Sequence, residues 1–187
     1  MRNSLVGRFL IATPSMADRR FKRSVILVCD HDENHAMGIV INRAMPRLLL
    51  PDLLDQLGID CSIRVPAIPV LDGGPCQRDR GFVLHTDDWA SDETTQPIMG
   101  GLRMTATRDV LQAIAQGRKP SRATLALGYS GWDTGQLEAE IMDNAWLVTE
   151  GDIDAVFATS NLDDKWEDAI SRFGLEPWQI SQNAGRA

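Results

Sequence analysis

Short apolar runs separated by turn-forming residues are the feature of this sequence that most restricts its fold. Residues 9–12, 24–29 and 37–41 have the length of buried strands, and the polar stretch 30–35 joins the last two in a predicted hairpin. Further strands are predicted at residues 69–71, 82–84, 123–127, 146–148 and 156–157.

Helical periodicity predicts single helices between these groups of strands. They are expected at residues 48–57, 109–116 (after Thr107) and 135–144, with a last helix after Ser160 that carries an apolar stripe and ends at Gly174. Because strands occur in runs broken by one helix at a time, an α+β fold with a mixed, mostly antiparallel β-sheet is expected.

Length and net charge indicate how many domains and which kinds of partner to expect. A chain of 187 residues is expected to form a single domain, residues 1–187. The net charge of −7 argues against non-specific contacts with nucleic-acid phosphates, which require a basic surface. The basic cluster of Arg19, Arg20 and Arg23 is the one weak candidate for such contacts, and a solvated salt-bridging surface is its alternative.

No apolar run reaches the roughly 18 residues of a membrane helix. Arg8 interrupts the apolar core that a signal peptide would need. Cys29 lies inside an apolar run, which is typical of a reduced, buried thiol. We therefore expect a cytoplasmic protein without a membrane partner, and the sequence leaves its oligomeric state open.

Residues 128–138 combine three glycines with Tyr129 and Trp132, and predict a strand-to-helix turn with a binding surface. The segment lacks the lysine of a phosphate-binding P-loop. Ser130 is a poor nucleophile candidate because the second glycine of a nucleophile elbow would stand one position later. Amides near Gly135 could hold an anion, and a purely structural turn packed under Trp132 is the alternative.

Titratable groups give weak signals for catalysis or metal binding. Cys29, His31 and His35 resemble zinc ligands in type but lack a nearby fourth ligand, so no metal and no cofactor are expected. His85 ends an apolar strand and is the best candidate for a general base, with Glu138 as a partner carboxylate. A structural histidine is the alternative.

Several blocks together carry a family resemblance. They are residues 7–14, 24–26, 41–43, 73–75, 80–85, 128–140 and 144–146. From near residue 5 to its end, the chain resembles the YqgE/AlgH family of bacterial proteins. The resemblance implies one compact domain whose sheet splits and curls into a barrel-like core flanked by helices. It also implies a regulator of transcription whose molecular activity is largely undefined.

Three functions remain open from the sequence. The first is a non-enzymatic regulatory or adaptor protein that binds a protein or a small molecule. Its binding face would comprise Asn42, Arg43, His85, Tyr129, Trp132 and Gln136. The alternatives are a hydrolase that uses His85 with Glu138 and a direct nucleic-acid binder. Because no helix-turn-helix with a basic recognition face is evident, direct DNA binding is disfavoured.

Overall fold

The computed structural model describes residues 4–91 and 94–174 of the chain. These residues form ten β-strands and five α-helices. The strands are β1 Arg8–Ala12, β2 Val25–His31, β3 His35–Val40, β4 Ala44–Leu49, β5 Pro69–Asp72, β6 Cys76–Thr86, β7 Thr95–Met99, β8 Leu102–Thr105, β9 Ala123–Asp133 and β10 Trp146–Glu150. The helices are α1 Leu50–Gln56, α2 Arg108–Ala115, α3 Gln136–Met142, α4 Ile153–Phe157 and α5 Asp164–Ser171.

The strands form one mixed sheet that is mostly antiparallel. Its main path is β10–β1–β2–β3–β9–β6–β8–β7, and β4 and β5 lie off this path. One edge of β9 pairs with β6. Its other edge pairs in parallel with β5 at Ala126 and then antiparallel with β3 from Ser130 onward. The sheet therefore splits at β9 and curls into a half-barrel, which confirms the expected α+β fold.

Alternation along the strands explains how the helices cover this sheet. Phe9 on β1 packs into a cluster that includes buried residues of α5, whereas its neighbour Leu10 packs into a cluster that includes Leu137 of α3. A third cluster joins α1 and α2 to β6 and β9. The central strands are thus buried on both faces, which is why their sequences are continuous apolar runs.

The apolar runs located most strands correctly. The predicted strands at residues 9–12, 24–29, 37–41, 69–71, 82–84 and 146–148 fall on β1, β2, β3, β5, β6 and β10. Four predicted helices correspond to α1, α2, α3 and α5. Thr107 occupies the N-cap position of α2, although its hydroxyl donates to the Asp109 carboxylate and does not cap a backbone amide.

Two local predictions were wrong. Residues 128–133 continue strand β9, so the turn before α3 lies at residues 134–135 only. The predicted strand at 156–157 belongs to helix α4, whose start is capped by the Asp152 side chain accepting from the Asp154 amide. None of the helices among residues 4–91 and 94–174 is long and apolar enough to cross a bilayer.

Candidate functional site

The glycines near residue 128 serve close packing between strands. Gly128 has a φ of +75°, and a Cβ there would lie 2.5 Å from the carbonyl oxygen of Gly74. A Cβ on Gly74 would in turn lie 2.3 Å from the backbone of Tyr129. The expected close approach is therefore real, but the approaching group is the backbone that leads into β6.

Tyr129 and Trp132 do not form one flat binding face. They lie on the same strand three residues apart, so their side chains leave opposite faces of the sheet. Tyr129 packs edge-on against Phe82 at 5.8 Å between ring centroids, inside the cluster beneath α5. Trp132 is buried in the cluster beneath α3.

Glu140 on α3 ties the aromatic residues of that second cluster together. Its Oε2 accepts hydrogen bonds from the indole nitrogens of Trp132 and Trp146, each at 2.8 Å. Its Oε1 accepts from the amide of Gln136, also at 2.8 Å. Gln136 accepts in return from the Asp133 backbone amide. This Glu140 network satisfies the polar groups of Trp132 and Gln136 internally, without a ligand.

Glu138 lies two residues earlier on α3 and faces β2. Its Oε1 lies 3.0 Å from Nε2 of His31. The other ring nitrogen of His31, Nδ1, accepts a hydrogen bond from the Leu5 amide. The ring proton is therefore on Nε2, which donates a hydrogen bond to Glu138. The pair fastens α3 and the N-terminal segment to the sheet.

His85 lies on β6 and is completely buried beside the neighbouring strand β8. Its Nδ1 donates to the Thr86 carbonyl at 2.8 Å, so its Nε2 accepts from the Thr105 hydroxyl at 2.9 Å. Trp89 covers the ring edge-on at 5.5 Å. Burial holds the pKa of His85 below its usual value, which keeps the ring neutral.

The structure does not bring His85 and Glu138 together. His85 is paired with Ala123 at the start of β9, whereas the His31–Glu138 pair lies beside Trp132 near the other end of that strand. At about 3.3 Å per residue, those ends are roughly 30 Å apart along the strand. The hydrolase alternative requires both groups in one cleft, and this geometry does not supply that cleft.

Asn42 and Arg43 hold the segment before β2. The Asn42 side chain accepts from the Val25 amide and donates to the Arg23 carbonyl, each at 2.8 Å. The Arg43 guanidinium donates to the carbonyls of Arg20 and Lys22. Their hydrogen bonds therefore go to the chain itself and order a turn.

Two of the three clustered arginines are engaged by carboxylates. Arg20 forms a bidentate pair with Asp18, and Arg23 pairs with Glu167 while stacking over Trp166 at 4.6 Å. Arg19 carries no such pair among the described residues. The cluster is thus largely neutralised locally.

The potential metal ligands point into different surroundings. Burial raises the pKa of the Cys29 thiol far above its usual range, and His35 contacts Asp30 and Asp32 at the hairpin tip. Over residues 4–91 and 94–174, no group of three histidine, cysteine or acidic side chains could hold a metal ion.

Ser130 is fully buried, and its hydroxyl has no hydrogen-bond partner within the described part of the chain.

An open apolar concavity lies elsewhere, at residues that no sequence motif singled out. We call it the Trp89 groove; it has a volume of about 870 Å³. Its apolar wall includes Leu50, Ile63, Ile68, Trp89 and Ile114. The wall combines the start of α1, the end of α2 and loops on either side of them, so four distant parts of the sequence meet there.

Charge at the Trp89 groove is opposite to that of the whole chain. Arg118 and Lys119 stand at its rim, and no acidic residue lines it. Lys119 pairs with Asp88 at 2.8 Å, and this contact holds the pKa of that carboxyl well below its usual range. The Arg118 guanidinium donates to the neutral side chain of Gln116 and forms no ion pair among the described residues. The groove therefore presents an apolar surface, on which Ile63 is 47% exposed. Beside this surface stands the Arg118 guanidinium, which has no carboxylate partner among the described residues.

Comparison with solved structures supports the architecture. The solution structure of the AlgH protein from Pseudomonas aeruginosa superposes with a TM-score of 0.77 at 39% identity, covering 100% of this chain and 98% of that one. A crystal structure of a Corynebacterium diphtheriae protein has a TM-score of 0.73 at 22% identity, covering 97% of this chain and 93% of its own. The second likeness concerns the fold alone.

Sequence comparison establishes the family. A UPF0301 protein from Beijerinckia indica is 49% identical over 190 residues, covering 98% of this chain and 92% of its own. Another from Caulobacter vibrioides is 45% identical over 184 residues, covering 98% of this chain and 94% of its own. The sequence profile of the AlgH-like family matches residues 9–178. The resemblance found in the sequence is thus confirmed, and the chain belongs to the AlgH-like family.

Proposed function

We propose that this protein is a non-enzymatic adaptor that binds a partner protein in the Trp89 groove. The observation that carries the proposal is the combination of an open apolar wall with a cationic rim and no lining carboxylate. Exposed apolar surface rimmed by polar groups is typical of interaction sites. The binding face expected from the sequence is replaced in this proposal, because His85 and Asn42 are buried and bonded internally.

The residues that line the Trp89 groove indicate which kinds of side chain the partner would present. Ile63 and Trp89 offer contact to apolar side chains, and Trp is frequent among residues that dominate binding energy. Arg118 would pair with an acidic side chain, since a guanidinium and a carboxylate match in geometry. The occupant is therefore an apolar segment of a protein with at least one acidic flanking residue. Regulation of transcription, which the family resemblance implies, would be exerted through that partner.

Site-specific photo-crosslinking tests the proposal. A benzophenone amino acid replaces Ile63 in the groove or, as a matched control, Met142 on α3, which is 81% exposed and lies outside the groove. We expect Ile63 to capture a protein segment with apolar and acidic residues that Met142 does not capture. A synthetic peptide of that segment should then bind at least about tenfold more weakly to Ile63→Asp and Arg118→Glu, a loss of about 1.4 kcal/mol each.

Three results would contradict the adaptor proposal. One is capture of only a second copy of this chain at Ile63. Another is identical capture at Ile63 and Met142. The third is peptide binding that is unchanged in both groove variants while circular dichroism shows them folded.

A further inference from the structure

A second cavity, independent of the Trp89 groove, contains a half-buried amine. It has a volume of about 270 Å³ and lies between the start of the sheet and helices α4 and α5. Its floor is apolar and includes Phe9, Val25 and Ile41. Three alanines of its wall, Ala155, Ala158 and Ala169, leave the space open because their side chains are short. We call it the Lys165 cavity.

Helix α5 holds the amine in place. Trp166 donates from its indole nitrogen to the Ala12 carbonyl at 2.7 Å, and Ile170 is completely buried beneath the same helix. These two contacts anchor helix α5, so the backbone of Lys165 is held in a fixed position. Its Nζ donates one hydrogen bond, of 2.9 Å, to the Ile41 carbonyl. An ammonium group has three donors, so this contact leaves capacity for a ligand in the cavity.

Two of the three carboxylates that line the cavity are engaged by other cations. Asp154 pairs with Arg122 at 2.6 Å, and Asp152 lies 3.7 Å from Arg172. No ion pair joins Lys165 to a carboxylate within the described residues, and Asp168 lines the cavity one helical turn away. Burial without such a pair lowers the pKa of Lys165 to about 8. A desolvated lysine of this kind supplies neutral amine near physiological pH.

The geometry points to Lys165 as a nucleophilic amine that captures small neutral carbonyl compounds in its cavity as an imine. The Nζ lone pair would attack the carbonyl carbon and form a C–N bond. Both amine protons would leave with the carbonyl oxygen as one molecule of water, giving C=N without an oxidant or reductant. The size suits one ring, since a cavity of about 150 Å³ is enough for benzene. The lining carries three acidic residues, Asp152, Asp154 and Asp168, against Arg172 and Lys165, and this excess of acidic groups does not favour an anionic ligand.

The chain provides its own controls, because it has only two other lysines, Lys22 and Lys119. Lys119 is paired with Asp88 and outside this cavity. At pH 7.4, a pKa of about 8 leaves roughly a fifth of the amine neutral, against about a thousandth for an ordinary lysine. Brønsted behaviour offsets part of this difference, so we expect an advantage of about tenfold in reaction rate.

Benzaldehyde with cyanoborohydride trapping, read by peptide mass spectrometry, tests this inference. We expect benzylation at Lys165 about tenfold faster than at Lys22 and Lys119, with a rate that saturates as benzaldehyde increases. Ala158→Leu places a larger side chain at the wall of the cavity and should slow benzylation of Lys165, while methylation by the smaller formaldehyde continues. Thr149 also lines the cavity, and Thr149→Leu is a second filling variant, used if the first does not fold. Lys165→Met should remove the fast site.

Equal rates at the three lysines would overturn the assignment of a reactive amine. A fast Lys165 whose rate neither saturates nor falls in a folded filling variant would overturn the role of the cavity. Neither result depends on the Trp89 groove.

Discussion

At the scale of single residues, the polar groups that looked functional in the sequence are mostly bonded within the protein. Glu140 is the clearest case, since it accepts three hydrogen bonds from Trp132, Trp146 and Gln136. The residue types were visible in the sequence. Their partners were not, because the contact between β9 and β10 residues depends on how α3 folds back over the sheet.

Replacing Glu140 by alanine should therefore destabilise the fold. Two indole N–H groups would lose a charged acceptor in a partly buried site, and each such loss costs about 1–3 kcal/mol. We expect the free energy of unfolding, measured by urea titration, to fall by about 3 kcal/mol. Asp143→Ala, an exposed acid at the end of the same helix, should stay within about 0.5 kcal/mol of the parent. Equal effects of both variants would refute the network's role.

At the scale of elements, apolar runs predicted the central strands because these strands are buried on both faces. Three strands escaped prediction. The strand β4 has a mostly exposed pattern and contains Pro46, β7 contains Pro97 at an edge of the sheet, and β8 is buried but only four residues long. Glycines and aromatics at 128–132 suggested a turn, yet there they let β9 pass close to another backbone. Such a strand crossing has no local sequence signature.

This crossing predicts different costs for two glycines that share a left-handed backbone. Gly128 (φ +75°) would place a Cβ against the Gly74 carbonyl, whereas Gly135 (φ +70°) has no atom within 4 Å of that position. Gly135→Ala should lose about 1–2 kcal/mol, the cost of the left-handed conformation alone. Gly128→Ala should lose at least about 3 kcal/mol or fail to fold, because β9 and the β5–β6 connection must separate. Similar unfolding midpoints for the two variants in urea would contradict this account.

At the scale of the whole molecule, the family and the half-barrel were accessible from the sequence, but the two cavities were not. The Trp89 groove and the Lys165 cavity are each lined by segments far apart in the chain. Isoleucines and alanines that line them are typical core residues in a sequence pattern. Only the tertiary fold shows which of them remain open to ligands.

Charge over the whole molecule leads to a last prediction, that the protein does not bind nucleic acid directly. The net charge is −7, and Arg20 and Arg23 already pair with Asp18 and Glu167. Fluorescence anisotropy of labelled duplex DNA and of RNA should therefore show no binding at about 50 mM salt, a concentration low enough for phosphate contacts to be strong. Binding that weakens steeply with salt and disappears in Arg19/Arg20/Arg23→Ala would show instead that these local ion pairs open to release a phosphate-binding surface. In that case a direct contact with nucleic acid would replace the partner segment of the Trp89 groove as the proposed interaction of this fold.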